Sequence, residues 1–258
     1  MAKKLETIWD QVEKYSKNID LTRIDTNVGR CYTPTPENKE TWKPSVTTIE
    51  NIISKGVIFE RWIANFGGYD KVQEYVGRKA DDGSCIHGWI DTLVLSGELD
   101  ISEETPNYMK KYIQSFEQWW NDTDLQVVAS ELQLHSDKCQ FSGTADFIGY
   151  IDGKLSLVDY KTGNEYPTTH SIQLTCYKEI FDSLFPNHKI EKLYCLYVKS
   201  GWRKKPNYKL REYKYDSAIS KALTYLWNFN NTCNKTQVRE LKEKDLPNKF
   251  KIKGAIHE

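Results

Sequence analysis

Apolar residues recur at helical spacing through roughly the first 120 positions, then give way to short alternating or continuous blocks from Leu125 onward. Leu5, Ile8, Trp9, Val12 and Tyr15 form an amphipathic stripe within residues 1–20. Residues 21–45, with Thr-Pro-Thr-Pro, Gly and Asn, read as loop. A helix is predicted from Ser45-Val-Thr-Thr-Ile to about Ile53, capped by Ser or Thr. Phe59, Trp62, Ile63 and Phe66 make a second stripe, broken by Gly67-Gly68. Lys71–Lys79 reads as a short helix, and Asp81-Asp-Gly-Ser as the cap of a separate one to about Leu95, with Ile86, Ile90, Leu93 and Val94 inward. Thr105-Pro106 opens a long helix ending near Trp120, with Tyr108, Tyr112, Phe116 and Trp119 or Trp120 buried.

Strands are predicted over 125–135, 141–151, 154–161, 190–198 and 208–215. Helices are predicted over 168–184 and from Asp216 to about Asn231. The pattern describes an α/β fold: a central mixed sheet of about five strands with helices on both faces. It divides into an N-terminal helical region (1–120), a core (121–234) and a lysine-rich tail (235–258).

One stretch, Phe141 to Lys161, carries candidate chemistry. Asp152-Gly153 between two apolar blocks predicts a two-residue hairpin, because both residues tolerate the positive φ of a type I′ turn. Ile151 then faces Lys154, and counting back along both strands brings Asp146 opposite Asp159, with Cβ atoms roughly 4.5–5.5 Å apart. Lys161 leaves the same face, two residues beyond Asp159. Facing acids beside apolar neighbours need a shared proton or a cation, and a hard divalent ion with oxygen ligands suits them. Two acids, a metal and a lysine are the equipment of phosphodiester hydrolysis. Glu131, in mid-strand, is either a further ligand, a supporting group or a residue of a solvated face. His87 lies at the edge of its helix's apolar stripe, where pattern alone favours a hydrogen-bonding role over a metal-binding one. His170, Gln173 and Tyr177 share one helix face. Trp202, Arg203, Lys204 and Lys205 suit a phosphate-tracking loop with a stacking ring, or equally a hairpin tip kept soluble by its lysines.

Composition narrows the classes. Lys+Arg and Asp+Glu both number 36, so a nucleic-acid site must be a local patch. The cysteines at 31, 85, 139, 176, 195 and 233 hold no C-x-x-C spacing, which argues against a zinc knuckle. The charged opening Met-Ala-Lys-Lys predicts no signal peptide, and no apolar run approaches the roughly 18 residues of a membrane span. Reduced cysteines and a cytoplasmic location are expected.

Gly143-Thr-Ala-Asp146, Leu157-Val-Asp-Tyr-Lys-Thr-Gly163, Gln173-Leu-Thr-Cys-Tyr177 and Gly83-Ser-Cys-Ile-His87 together resemble the RecB-type branch of the PD-(D/E)XK nuclease superfamily. Pro44-Ser-Val-Thr-Thr resembles the N-terminal motif of phage-type members. The resemblance implies a restriction-endonuclease-like fold with an N-terminal helical arch. It implies Mg²⁺ or Mn²⁺ held by His87, Asp146, Asp159 and the Tyr160 carbonyl, with Lys161 acting on the attacking water. Gln173 and Tyr177 would orient Lys161 or touch DNA backbone; Glu131 occupies a position where such chains often carry a glutamate. Only Cys233 lies beyond residue 195, so no iron–sulfur cluster is expected. The implied activity is exonucleolytic cleavage from free DNA ends, single strands preferred, as in phage-type and mitochondrial genome-maintenance members. The chain has no P-loop, so a helicase or recombination protein would be a separate partner. Two alternatives stay open: a binding module that keeps the fold without cutting, and a restriction-type endonuclease.

Overall fold

The computed structural model describes residues 6–54 and 56–236. Its centre is the hairpin of β5 (Ser142–Ile151) and β6 (Lys154–Lys161). Asp152 and Gly153 take φ of 49° and 72°, the left-handed pair that matches the twist of the flanking strands. The ladder runs from Ile151↔Lys154 to Phe147↔Val158 and stops there, one pair short of Asp146 and Asp159.

β4 (Leu125–His135), β7 (Lys192–Lys199) and β8 (Asn207–Tyr213) complete a five-stranded mixed sheet in the order β4-β5-β6-β7-β8. Neighbours are antiparallel except β6 and β7, which are parallel and joined through the crossover helix α6 (Pro167–Leu184). That crossover sets Cys195 beside Asp159 and Tyr197 beside Lys161.

Helices cover both faces, because the strands bury apolar residues of both parities. On one face, Ile148, Leu155, Leu157, Cys195 and Tyr197 pack with Ile172, Ile180 and Phe181 of α6. Val46 and Ile49 of α2 (Val46–Glu50) and Ile8 and Val12 of α1 (Ile8–Ser16) close that side. On the other face, Phe147, Val158, Tyr160, Leu196 and Val198 meet α4 (Tyr69–Ser96) through Ile86 and Ile90. Ile113, Phe116 and Trp119 of α5 (Asn107–Asp122) join them. Each fully buried side chain of this size contributes about 1.5–3 kcal/mol. The short α3 (Gly56–Phe66) packs on the N-terminal half of α4, where Trp62, Phe66 and Tyr75 meet ring to ring. α7 (Ser217–Thr236) follows a turn in which Asp216 Oδ1 accepts the Ala218 N–H.

Two predicted elements are corrected. Residues 21–45 are not loop: β1 (Thr22–Thr26), β2 (Gly29–Thr33) and β3 (Lys43–Pro44) form a small antiparallel sheet. Ser45 then bridges to Ser142 of the main sheet. The Thr-Pro-Thr-Pro run only marks the connection between β2 and β3. The predicted break at Asp81–Ser84 is absent, since α4 runs through it. Its cap-forming side chains are otherwise engaged: Ser84 Oγ donates back to the Ala80 carbonyl, and Asp82 accepts from Tyr108 and pairs with Lys79. The lysine-rich tail beyond residue 236 lies outside the described residues, among which no helix is long and apolar enough to cross a membrane.

Candidate active site

The site begins where the hairpin ladder fails. In the register of β4 with β5, Ser130 pairs with Phe147 and Leu132 with Ala145, so Glu131 and Asp146 occupy the intervening row. The β5–β6 register places Asp159 in that row as well. Three carboxylates thus share one line across three strands, and backbone pairing is lost at that line. Glu131 takes φ of 46°, a left-handed conformation that costs a non-glycine residue on the order of 1–3 kcal/mol. Asp146 replaces the missing ladder bond with its side chain: Oδ2 accepts the Tyr160 N–H at 2.6 Å.

α4 brings His87 to this row from the other layer. Its Nδ1 lies 3.5 Å from Asp146 Oδ1 and 3.7 Å from Glu131 Oε1. His87, Glu131 and Asp146 each offer a ligand atom within 4.8 Å of the others. Burial works against the imidazolium, but Asp146 and Glu131 outweigh it and raise its pKa to about 10. Burial also opposes the Asp146 carboxylate, and His87, Lys161 and the Tyr160 N–H together hold its pKa below the usual range. Burial pushes Glu131 up against the pull of His87.

Lys161 stands next to this group. Its Nζ lies 2.6 Å from Asp159 Oδ2 and donates to Gln173 Oε1 at 2.9 Å. Burial disfavours the ammonium, but Asp159 and Asp146 overcome it and hold its pKa above the lysine norm. Asp159 is buried, and the Cys195 thiol approaches its Oδ2 at 3.7 Å. Cys195 was not singled out in the sequence; only the parallel register after the crossover helix marks it.

Of the residues expected at the site, the structure groups His87, Glu131 and Asp146 as possible ligands. Asp159 stands beside that group, its Oδ2 committed to Lys161. Gln173 orients Lys161 directly. Tyr177 is buried, and its ring lies over Gly143: a Cβ there would come within 2.6 Å of Cε1, so this motif glycine permits the close packing of α6 on β5. Tyr160 contributes its N–H to Asp146 and sends its side chain into the α4–α5 layer.

The loop of Trp202 to Lys205 leaves β7 two residues after Lys199's neighbour Ser200, at the same end of the sheet as Lys161. Trp202 is pinned to α5: the Lys111 ammonium lies 4.8 Å from its ring centroid and donates to its carbonyl at 3.0 Å. Ser115 Oγ holds the Lys199 carbonyl at 2.6 Å. Arg203, Lys204 and Lys205 are exposed.

The donor set suits a divalent cation. Two carboxylates and an imidazole converge, and Glu131 Oε1 is buried without a hydrogen-bond partner.

A sequence profile of the PD-(D/E)XK nuclease superfamily matches residues 71–248, a span that takes in every site residue from His87 to Tyr177. No curated protein matches the chain. Among solved structures, the crystal structure of an alkaline exonuclease from Laribacter hongkongensis is similar, with a TM-score of 0.40 and 10% identity, over 76% of this chain and 91% of that one.

Proposed function

The chain belongs to the PD-(D/E)XK nuclease superfamily, and we propose that it is a divalent-metal-dependent deoxyribonuclease that degrades DNA from free ends. The observation that carries this reading is the convergence of His87, Glu131 and Asp146 beside a lysine clamped by Asp159 and Gln173. His87, Glu131 and Asp146 would hold the ion, with Asp159 adding its Oδ1 because Oδ2 belongs to Lys161. A bound Mg²⁺ or Mn²⁺ supplies Lewis-acid polarisation of the scissile phosphate and lowers the pKa of a bound water.

The chain's own residues set the rest. An ammonium has three N–H donors. At Lys161 two of them point at Asp159 and Gln173, which leaves the third for a phosphoryl oxygen or the attacking water. With its pKa raised, Lys161 is a poor general base, so its part is to stabilise developing negative charge and to orient the nucleophile.

Preference for unpaired strands is supported by three features. Trp62 and Phe66 of α3 and Tyr75 of α4 form a ring cluster on the α3–α4 hairpin, with Phe66 and Tyr75 exposed and Tyr75 on the same helix as His87. This hairpin is the candidate arch over the site. Exposed Arg203, Lys204 and Lys205 at the active end of the sheet suit a phosphate backbone, whereas Trp202 serves to anchor their loop. The neutral net charge lacks the broad basic surface of a duplex binder.

The test uses the full chain and its Lys161→Ala variant with end-labelled linear single strands, linear duplex and circular single strands, in Mg²⁺, Mn²⁺ or EDTA. The reading requires metal-dependent loss of linear DNA that the variant lacks, with circles left intact. Cutting of circles would assign an endonuclease. Binding without cleavage under every condition would assign a non-cutting module.

A further inference from the structure

Basic charge is concentrated where β7 turns back as β8. Between positions 199 and 211 the chain carries Lys199, Arg203, Lys204, Lys205, Lys209 and Arg211 and no acid, in a protein whose net charge is zero. The strand register sets two of these cations level with the site. Lys161 pairs with Tyr197, and Tyr197 with Lys209; Asp159 pairs with Cys195, and Cys195 with Arg211. Residues paired across a sheet send their side chains to the same face. Lys209 and Arg211 therefore leave the face that carries Asp159 and Lys161, two strands away, which is roughly 10 Å.

Both strand cations converge on Glu165, in the connection between β6 and α6 that leads from Lys161 to Gln173. Lys209 Nζ lies 2.6 Å from its Oε1, and Arg211 Nε lies 2.8 Å from its Oε2. The two cations, Lys209 foremost, hold the Glu165 carboxyl below the usual range. Lys199 secures the same connection, donating to the Gly163 carbonyl at 3.3 Å. The Lys209 and Arg211 side chains stay 43% and 49% exposed, so solvent and ligands reach them.

As a stabilising device this cluster is weak, because exposed ion pairs are screened and immobilise long side chains. As a binding device it is well made. One carboxylate divides two oxygens and a single negative charge between a lysine and an arginine, and a phosphodiester presents two non-bridging oxygens and a single negative charge in the same way. A phosphate can replace Glu165 and leave neither cation unpaired. Arg203, Lys204 and Lys205 continue the track through the loop before β8.

We propose that Lys209 and Arg211 form a phosphate seat for the substrate strand beside the catalytic row, and that Glu165 occupies this seat as an internal stand-in until DNA displaces it. The proposal rests on the nuclease reading above and gives the strand a point of attachment outside the metal site.

Fluorescence anisotropy of a labelled oligothymidylate with the full chain tests it, in EDTA and in Ca²⁺, over a salt series. The proteins are wild type, Glu165→Gln, Lys209→Ala/Arg211→Ala and the triple variant. Glu191→Gln is the control: it removes the same charge and breaks a comparable exposed pair, with Lys154 at 3.1 Å, at the opposite end of β6 from Lys161. Loss of both cations should weaken binding about tenfold or more at about 0.1 M salt and reduce the salt slope by about 1.4, the value for two contacts to single-strand phosphates. Glu165→Gln should tighten binding by about 3–10-fold, since two exposed ion pairs no longer compete with DNA. Glu191→Gln should change it by less than about twofold, because salt screens a charge so far from the seat. In the triple variant the gain from Glu165→Gln should vanish, because its partners are gone. Glu165→Gln decides the matter if the cation variants fold poorly. Equal effects of Glu165→Gln and Glu191→Gln, a gain that persists in the triple variant, or an unchanged salt slope without the two cations overturns the proposal and leaves the nuclease reading standing. Absence of DNA binding by the wild type in both conditions overturns the nuclease reading, and this proposal with it.

Discussion

The two ends of one hairpin differ in kind. Toward the Asp152-Gly153 turn, five consecutive residue pairs join β5 and β6 and the side chains are mostly apolar and buried. At the other end the pairing stops, and the row of Glu131, Asp146 and Asp159 holds acids where a stable sheet wants apolar or oppositely charged partners. Glu131 sits in a left-handed conformation and leaves a buried oxygen without a hydrogen bond. The regular end supplies the stability that lets the irregular end exist. Local rules hold where the strands are scaffold and fail where they carry chemistry.

The largest effect that sharpens this contrast is on turnover. Asp146→Ala removes the residue that faces both other acids, and should lower the single-turnover cleavage rate by about 10³-fold or more, roughly 4 kcal/mol. A variant cleaving within tenfold of wild type would remove Asp146 from the site. Toward the turn, Leu155→Ala deletes a buried side chain and should cost about 2–5 kcal/mol in urea unfolding. Mn²⁺ affinity of its folded fraction should be unchanged; a matching loss of affinity would show that the two ends are not separable.

A pH series separates them further. The folded pKa of His87 is raised to about 10, above the roughly 6.5 of an unfolded chain. Its contribution to the metal-free protein is thus fully present below pH about 6.5 and is lost as pH rises through about 10. Metal must displace that proton, so Mn²⁺ affinity should climb about tenfold per unit between pH 7 and 9. A flat affinity would mean that His87 is no ligand. The smallest expected effect concerns strain. Glu131→Gly suits a φ of 46°: relief of about 1–3 kcal/mol of backbone strain outweighs the roughly 0.4–1 kcal/mol that a freer unfolded chain costs, so the metal-free fold should be stabilised by about 1 kcal/mol while Mn²⁺ binding weakens. Loss of stability in EDTA would show that Glu131 is structural.

Much of the scaffold was legible because its signals are local. Asp152-Gly153 specified the turn, the turn specified the register, and the register placed Asp146 and Asp159 in one row. The limits have equally local causes. The strands of residues 22–33 are only five residues long and carry few apolar side chains, so turn residues around them dominated the reading. α4 continues through cap-type residues because their side chains bond within the helix and to Tyr108. The role of Glu131 was open because period-two counting breaks down there: the register shifts between Val127 and Ala129, and φ turns positive at 131. Trp202 has a composition suited to stacking, and only its tertiary contact with Lys111 reveals it as an anchor. Gln173 and Tyr177 share a helix face, yet one holds Lys161 and the other fills the space above Gly143.

The central claim is that a divalent ion binds at the unpaired end of the hairpin. Electron paramagnetic resonance of Mn²⁺ with DNA-free protein tests it directly, comparing wild type with His87→Ala, Glu131→Gln and Asp146→Asn, and with Asp152→Asn at the turn as a control carboxylate. The account predicts that wild type and Asp152→Asn take up Mn²⁺ alike, and that each of the other three binds at least about tenfold more weakly. Equal uptake by Asp146→Asn and wild type would contradict it.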